Sequence, residues 1–143
     1  MTALTIAIHV TGIALMAFAS VRIRVRLEKH NRFEAGQVFA IVIGLVGAVG
    51  LLLGALHGIE AVLWAAAFWW LGALDSPADA ILYSVDSIST RGASGLMLER
   101  RWRMMGALEA MDGVLLFGIS TAFIFAAIQA FWPTIIADRD PNF

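Results

Sequence analysis

The chain alternates long apolar runs with short polar connections, and the run lengths predict helices that cross a bilayer. Residues 3–21 carry one titratable group, His9. About 18 or more such residues suffice to span a hydrocarbon core. Residues 22–34 (RIRVRLEKHNRFE) are charged, and polar and apolar positions alternate in their first half. That pattern fits a short extended piece or the frayed end of a helix. Residues 37–74 are almost wholly apolar, interrupted by His57 and Glu60. A single straight helix of that length would reach about 55 Å, longer than the whole bilayer. The stretch is therefore one tilted, projecting helix or two helices broken near His57-Gly58. Asp75-Ser76-Pro77 reads as a helix start, with Ser76 as cap and Pro77 at the first helical position. The segment that follows, to Ser89, is amphipathic and too short to span. Gly92 to Gly95 is a small-residue loop, and residues 96–103 are charged and aromatic, as at an interface. The last apolar run ends at Trp132, and a polar tail covers 133–143.

Composition strengthens the membrane reading. Of 143 residues, 60% are hydrophobic and only 15% charged, against roughly 25% charged in a soluble domain. The mean hydropathy is +0.82. A soluble core this small cannot hide so much apolar surface. The net charge of −1 points away from a nucleic-acid partner. The absence of cysteine excludes disulfides and thiolate metal sites. Five of the ten basic residues cluster at Arg22, Arg24, Arg26, Lys29 and Arg32. The positive-inside rule then puts 22–34 in the cytoplasm, the N-terminus and the loop 75–103 outside, and the C-terminus inside. Arg100, Arg101 and Arg103 oppose this orientation. For residues 3–21 a signal peptide is the competing reading, but the neutral Met1-Thr2 start favours a retained helix.

A short capped helix and a loop between two spans is the pattern of a re-entrant pore segment. Irregular backbone at membrane depth persists only where protein or water surrounds it. Over residues 57–131 the chain resembles the potassium-channel superfamily, in particular small bacterial two-helix pore-domain channels. The residues that carry the resemblance are His57, Glu60 and Trp64-Ala65, the run ILYSVDSISTRG, Trp102-Arg103, Leu108-Glu109-Ala110 and Gly113. Together with the apolar runs, the expectation is an all-α membrane protein with an N-terminal transmembrane helix (1–21), a basic cytoplasmic connection (22–36), a pore domain (37–132) and a tail (133–143). Within the pore domain the resemblance implies an outer helix 37–74, a pore helix 76–89, a filter-like loop 90–95 and an inner helix 102–132. Four copies would surround one axis in a bacterial inner membrane. The implied partners are the lipid bilayer, three further copies and a permeant inorganic ion. No cofactor, metal or enzymatic activity is expected.

The family filter reads Thr-x-Gly-Tyr/Phe-Gly-Asp. Here the matching stretch is Thr90-Arg91-Gly92-Ala93-Ser94-Gly95. Thr90 and Gly92 fit. Arg91 replaces an aliphatic residue, Ala93 the aromatic brace, Ser94 the second glycine and Gly95 the aspartate. Such filters replace an ion's hydration shell with rings of backbone carbonyls, and glycines allow the alternating conformations that aim them inward. Arg91 also matters electrostatically. Four guanidinium groups ~5 Å from a central cation would repel it by about 13 kcal/mol at an effective dielectric of ~20. Alternatively Arg91 points off the axis and pairs with Asp86, five residues earlier, or with Glu109. The expectation is a tetrameric channel with altered or lost potassium selectivity: non-selective, anion-permeable or non-conducting. The alternative is a channel-derived structural or regulatory membrane subunit that conducts nothing itself.

Other residues have structural and functional readings side by side. Gly113 matches the family's inner-helix hinge glycine, or serves as a packing glycine. Six glycines from Gly36 to Gly58 recur at mostly three- or four-residue intervals, a spacing that permits close helix contact in lipid. His57 and Glu60 lie three apart on one helical face, and ionisable groups inside a span are functional candidates. As a metal site they lack a visible third ligand. Glu109 and Asp112 line a vestibule or tie the inner helix to the pore helix through Arg100, Arg101 or Arg103. The five tryptophans, Trp64 among them, read as interfacial anchors.

Overall fold

The computed structural model describes residues 1–29, 35–92 and 95–137. Those residues form four helices: α1 (Thr2–Lys29), α2 (Ala35–Trp70), α3 (Pro77–Ile88) and α4 (Arg103–Ala137). No strand occurs among them. Three helices are long and apolar enough to cross a membrane, over Thr2–Arg26, Phe39–Trp70 and Arg103–Trp132. The 12 residues of α3 reach only about 18 Å, well short of a ~30 Å hydrocarbon core.

The helix ends follow from local chemistry. α1 runs on through Arg22, Arg24 and Arg26 to Lys29. Once a helix is nucleated each further residue adds a bond cheaply, and arginine, leucine and lysine are good helix formers. The alternation in that stretch therefore does not yield an extended piece. α2 is one continuous helix of 36 residues that passes through His57-Gly58 without a break. It stops at Trp70 because Gly72 takes a positive φ of 69°. There Ala73 N–H donates to Phe68 C=O (2.8 Å) and Gly72 N–H to Trp69 C=O (3.0 Å), a Schellman closure. α3 begins where Ser76 Oγ accepts from Asp79 N–H at 3.0 Å, with Pro77 following.

Two compact units emerge from the contacts. One comprises Met1–Val10 and Gly54–Ile119. Its apolar core joins Ala61, Trp64, Ala65 and Phe68 of α2 to Ala80 and Ile88 of α3 and to Leu98, with Tyr83, Trp102 and Met105 packed against it. On α3 the buried positions Ala80, Ser84, Ser87 and Ile88 recur at helical spacing, so one stripe of the short helix faces this core. Phe68 and Tyr83 meet edge to face with ring centres 5.2 Å apart. The other unit takes in Thr11–Leu53 and the chain from Ser120 on. Within it Val42 and Phe131 pack together with Leu45 and Val46 alongside, and Met16, Val49, Leu53 and Ala127 are also buried.

Most of the apolar surface faces outward. Only 17–22% of the most apolar window of each long helix is buried, and Leu15, Leu51, Met111 and Val114 are among many exposed large side chains. A water-soluble monomer does not carry apolar exposure on this scale, whereas lipid or further copies of the chain would cover it.

Candidate functional site

Two groups of residues in the unit containing α3 carry chemistry. The first is the loop after α3. Thr90 N–H donates to Ser87 C=O (3.1 Å) and Arg91 N–H to Asp86 C=O (3.0 Å), so the helix ends in a second Schellman closure. The left-handed position, usually glycine, is Thr90 at φ 60°. A β-branched residue there is strained. Gly92 (φ 92°) and Gly95 (φ 84°) continue the positive-φ character. Ala93 and Ser94, expected in the same loop, lie outside the described residues.

The loop is backed by α4 through a backbone-to-backbone approach. A methyl group added at Gly113 would lie 2.7 Å from Ile88 C=O oxygen and 2.8 Å from Ile88 Cα. Gly113 sits inside uninterrupted helix and is where the end of α3 rests. A concavity of about 800 Å³ opens beside it, bounded by Tyr83, Ser87, Thr90, Gly92, Ala110 and Val114 among others.

Arg91 and Asp86 come together, with Arg91 Nε 3.3 Å from Asp86 Oδ1. Asp86 is buried while 68% of the Arg91 side chain is exposed. The buried carboxylate draws the base of the guanidinium toward α3, and the rest of the side chain remains outside. Glu109 is also buried. Its neighbours are the hydroxyls of Ser84 and Ser87 on α3. Two of the arginines expected near Asp112 make other contacts: Arg101 Nε sits 2.9 Å from Glu99, and Arg103 Nε donates to Leu98 C=O (3.4 Å).

The second group is a buried polar column. Glu60 stands between two imidazoles: His9 Nδ1 is hydrogen-bonded to Glu60 Oε1 at 2.7 Å, and His57 Nδ1 lies 3.1 Å from Glu60 Oε2. His9 and Glu60 are fully buried and His57 keeps 11% of its side chain exposed. Phe117 stacks on the His57 ring at 4.2 Å. One helical turn away, Asp112 Oδ2 accepts from Thr5 Oγ1 and from Trp64 Nε1 (3.1 Å). Thr5 and His9 are four apart on α1, and Glu60 and Trp64 four apart on α2, so the two sets stack along the helices. Trp64 is thus a buried hydrogen-bond donor, 2% exposed, and not an interfacial anchor. Asp112 ties α4 to α1 and α2.

His57 and Glu60 were legible as a pair; His9 as their partner was not. The usable signal was that His9 is the sole ionisable group in its apolar run. Inside a membrane such a group finds an ionisable or polar partner on another helix. The fold defines an all-helical chain with three helices long and apolar enough to cross a membrane, and a short helix and loop set between the second and third. No family model, curated protein or solved structure matches the chain.

Proposed function

We propose that the chain is an integral-membrane pore subunit of the potassium-channel type, assembled as four copies around an axis, with a filter altered so that potassium selectivity is changed or lost. The observation that carries this reading is the seating of the segment after α3. A capped helix too short to span leads into a positive-φ loop at Thr90, Gly92 and Gly95, held against the neighbouring span by the contact of Ile88 on Gly113. Irregular backbone supported in this way can sit at membrane depth. Positive-φ residues turn successive carbonyls in ways an ordinary strand does not. The exposed face of α4 at Met111, Val114 and Leu115 offers an apolar surface for neighbouring copies.

Arg91 then governs which ions pass. Paired with Asp86, each guanidinium is offset by a carboxylate, so the loop does not present the uncompensated ring that would exclude cations. With Ala93 and Ser94 in place of the aromatic brace and the second glycine, four ordered potassium sites are not expected. Purified protein in liposomes, under potassium, sodium and chloride gradients, tests the reading alongside particle symmetry in mild detergent. Four-fold particles with flux through more than one ion species support it. A stable monomer or dimer overturns it. Four-fold particles that carry no ion favour the non-conducting structural or regulatory subunit.

A further inference from the structure

We infer that His9, His57 and Glu60 form a binding site for one divalent transition-metal ion, of which zinc is the leading candidate. The inference is independent of the channel reading, since it concerns how α1 is fastened to α2. Two imidazoles and a carboxylate converge from two helices, and their ligand atoms all lie within 4.8 Å of one another. An ion bound at ~2.1 Å from each of three tetrahedral ligands holds them about 3.4 Å apart. His9 Nδ1 lies 2.7 Å from Glu60 Oε1 and His57 Nδ1 lies 3.1 Å from Glu60 Oε2, so an ion is admitted by side-chain shifts of the order of an ångström with the backbone of α1 and α2 left in place. Both Nδ1 atoms lie within 3.1 Å of a Glu60 oxygen. A two-histidine, one-carboxylate set leaves a fourth position for water or another ligand, as in zinc sites that are not closed structural cages.

The surroundings favour a cation. Glu60, Glu109 and Asp112 are three buried acids, at 0%, 0% and 2% exposure, in one unit. A divalent ion balances two carboxylate charges, and Asp112 stands one turn from Glu60 through Trp64. The ring of His57 is held in plane by Phe117, and Thr5 links the His9 helix to Asp112. Such supporting contacts orient metal ligands. The partial exposure of His57 gives the ion an edge by which to enter. The competing arrangement is a His9–Glu60 hydrogen bond with His57 alongside and no metal.

The test uses the full chain in detergent, stripped with chelator and titrated with cobalt(II), then with zinc(II). The expected result is one cobalt per chain with the intense visible bands of four-coordinate cobalt, bleached by zinc. His9→Gln and Glu60→Gln should each weaken binding by about 100-fold or more, the upper end of what even supporting contacts are worth. X-ray absorption of the zinc-loaded wild type should show two imidazoles and a carboxylate oxygen, which decides the ligand set even if a variant fails to fold. A stripped wild type that develops no cobalt bands overturns the inference. So does uptake undiminished in both variants, or an absorption spectrum without imidazole ligands.

Discussion

Gly113→Ala is the sharpest probe of the architecture. The added methyl group would meet Ile88 oxygen at 2.7 Å, Ile88 Cα at 2.8 Å and Ile88 carbonyl carbon at 3.1 Å. Carbon atoms pack at about 3.5–4.0 Å, so the end of α3 would have to retreat by roughly 0.7–1 Å. The obstructing atoms are main chain and cannot swing aside as a side-chain tip would. Ile88 is itself buried and belongs to the core of its unit. Overpacking of this kind costs about 1–3 kcal/mol, and a backbone clash belongs at the upper end. Replacing a mid-helix glycine by alanine returns up to about 1 kcal/mol of helix propensity, leaving a net loss of about 2 kcal/mol. Gly118→Ala is the matched control, because a methyl group there meets nothing within 4 Å. It should be neutral or stabilising by up to about 1 kcal/mol. Equilibrium unfolding in mixed micelles of mild detergent and SDS, followed by tryptophan fluorescence, reads both variants on one scale. The same experiment on Gly106→Ala should fall between them, since the obstacles there are the tips of Tyr83 and Leu98. If Gly113→Ala and Gly118→Ala differ by less than ~0.5 kcal/mol, α3 does not rest on α4 at Gly113 and the seating of the loop is wrong.

Three further outcomes are expected in the same assay. Thr90→Gly should stabilise by about 1 kcal/mol, because glycine occupies the left-handed region without the Cβ clash that threonine bears there; Thr90→Ala should bring no such gain, and equal gains from both would contradict the strain. Asp112→Ala strands the buried Trp64 N–H, whereas Thr5 can fall back on Thr2 C=O at 2.9 Å. Asp112→Ala should therefore be less stable than Asp112→Asn, which keeps an acceptor, by about 1–3 kcal/mol; equal stability would deny the Trp64 bond. Arg91→Val should change stability by less than ~1 kcal/mol in an Asp86→Asn background, since the exposed guanidinium itself contributes little, and by more when Asp86 is left as a buried carboxylate without it. Equal losses in the two backgrounds would deny the pair.

The apolar runs by themselves determined the three long helices, because spacing and length alone decide whether a segment can cross a bilayer. The cap at Ser76-Pro77 and the brevity of α3 were equally local, and so were readable. Helix ends were less so. Nothing local told 37–74 that it would stop at Trp70, since Gly72 is one of many glycines and only its positive φ made it the terminator. The arginines after residue 21 joined α1 because helix propagation ignores the charge boundary that marks the membrane edge. The Asp86–Arg91 pair was foreseeable, its members being five residues apart around one helix end. The buried polar column was not. Thr5, His9, Glu60, Trp64 and Asp112 come from three helices, and the hydrogen bonds among them join residues 48 to 107 positions apart. A sequence records that each side chain is polar and lies in an apolar run, but only packing decides which polar groups share the space from which water is excluded. Gly113 shows the same division: the residue type permits a hinge or a close approach, and the tertiary fold alone sets the backbone of Ile88 against it.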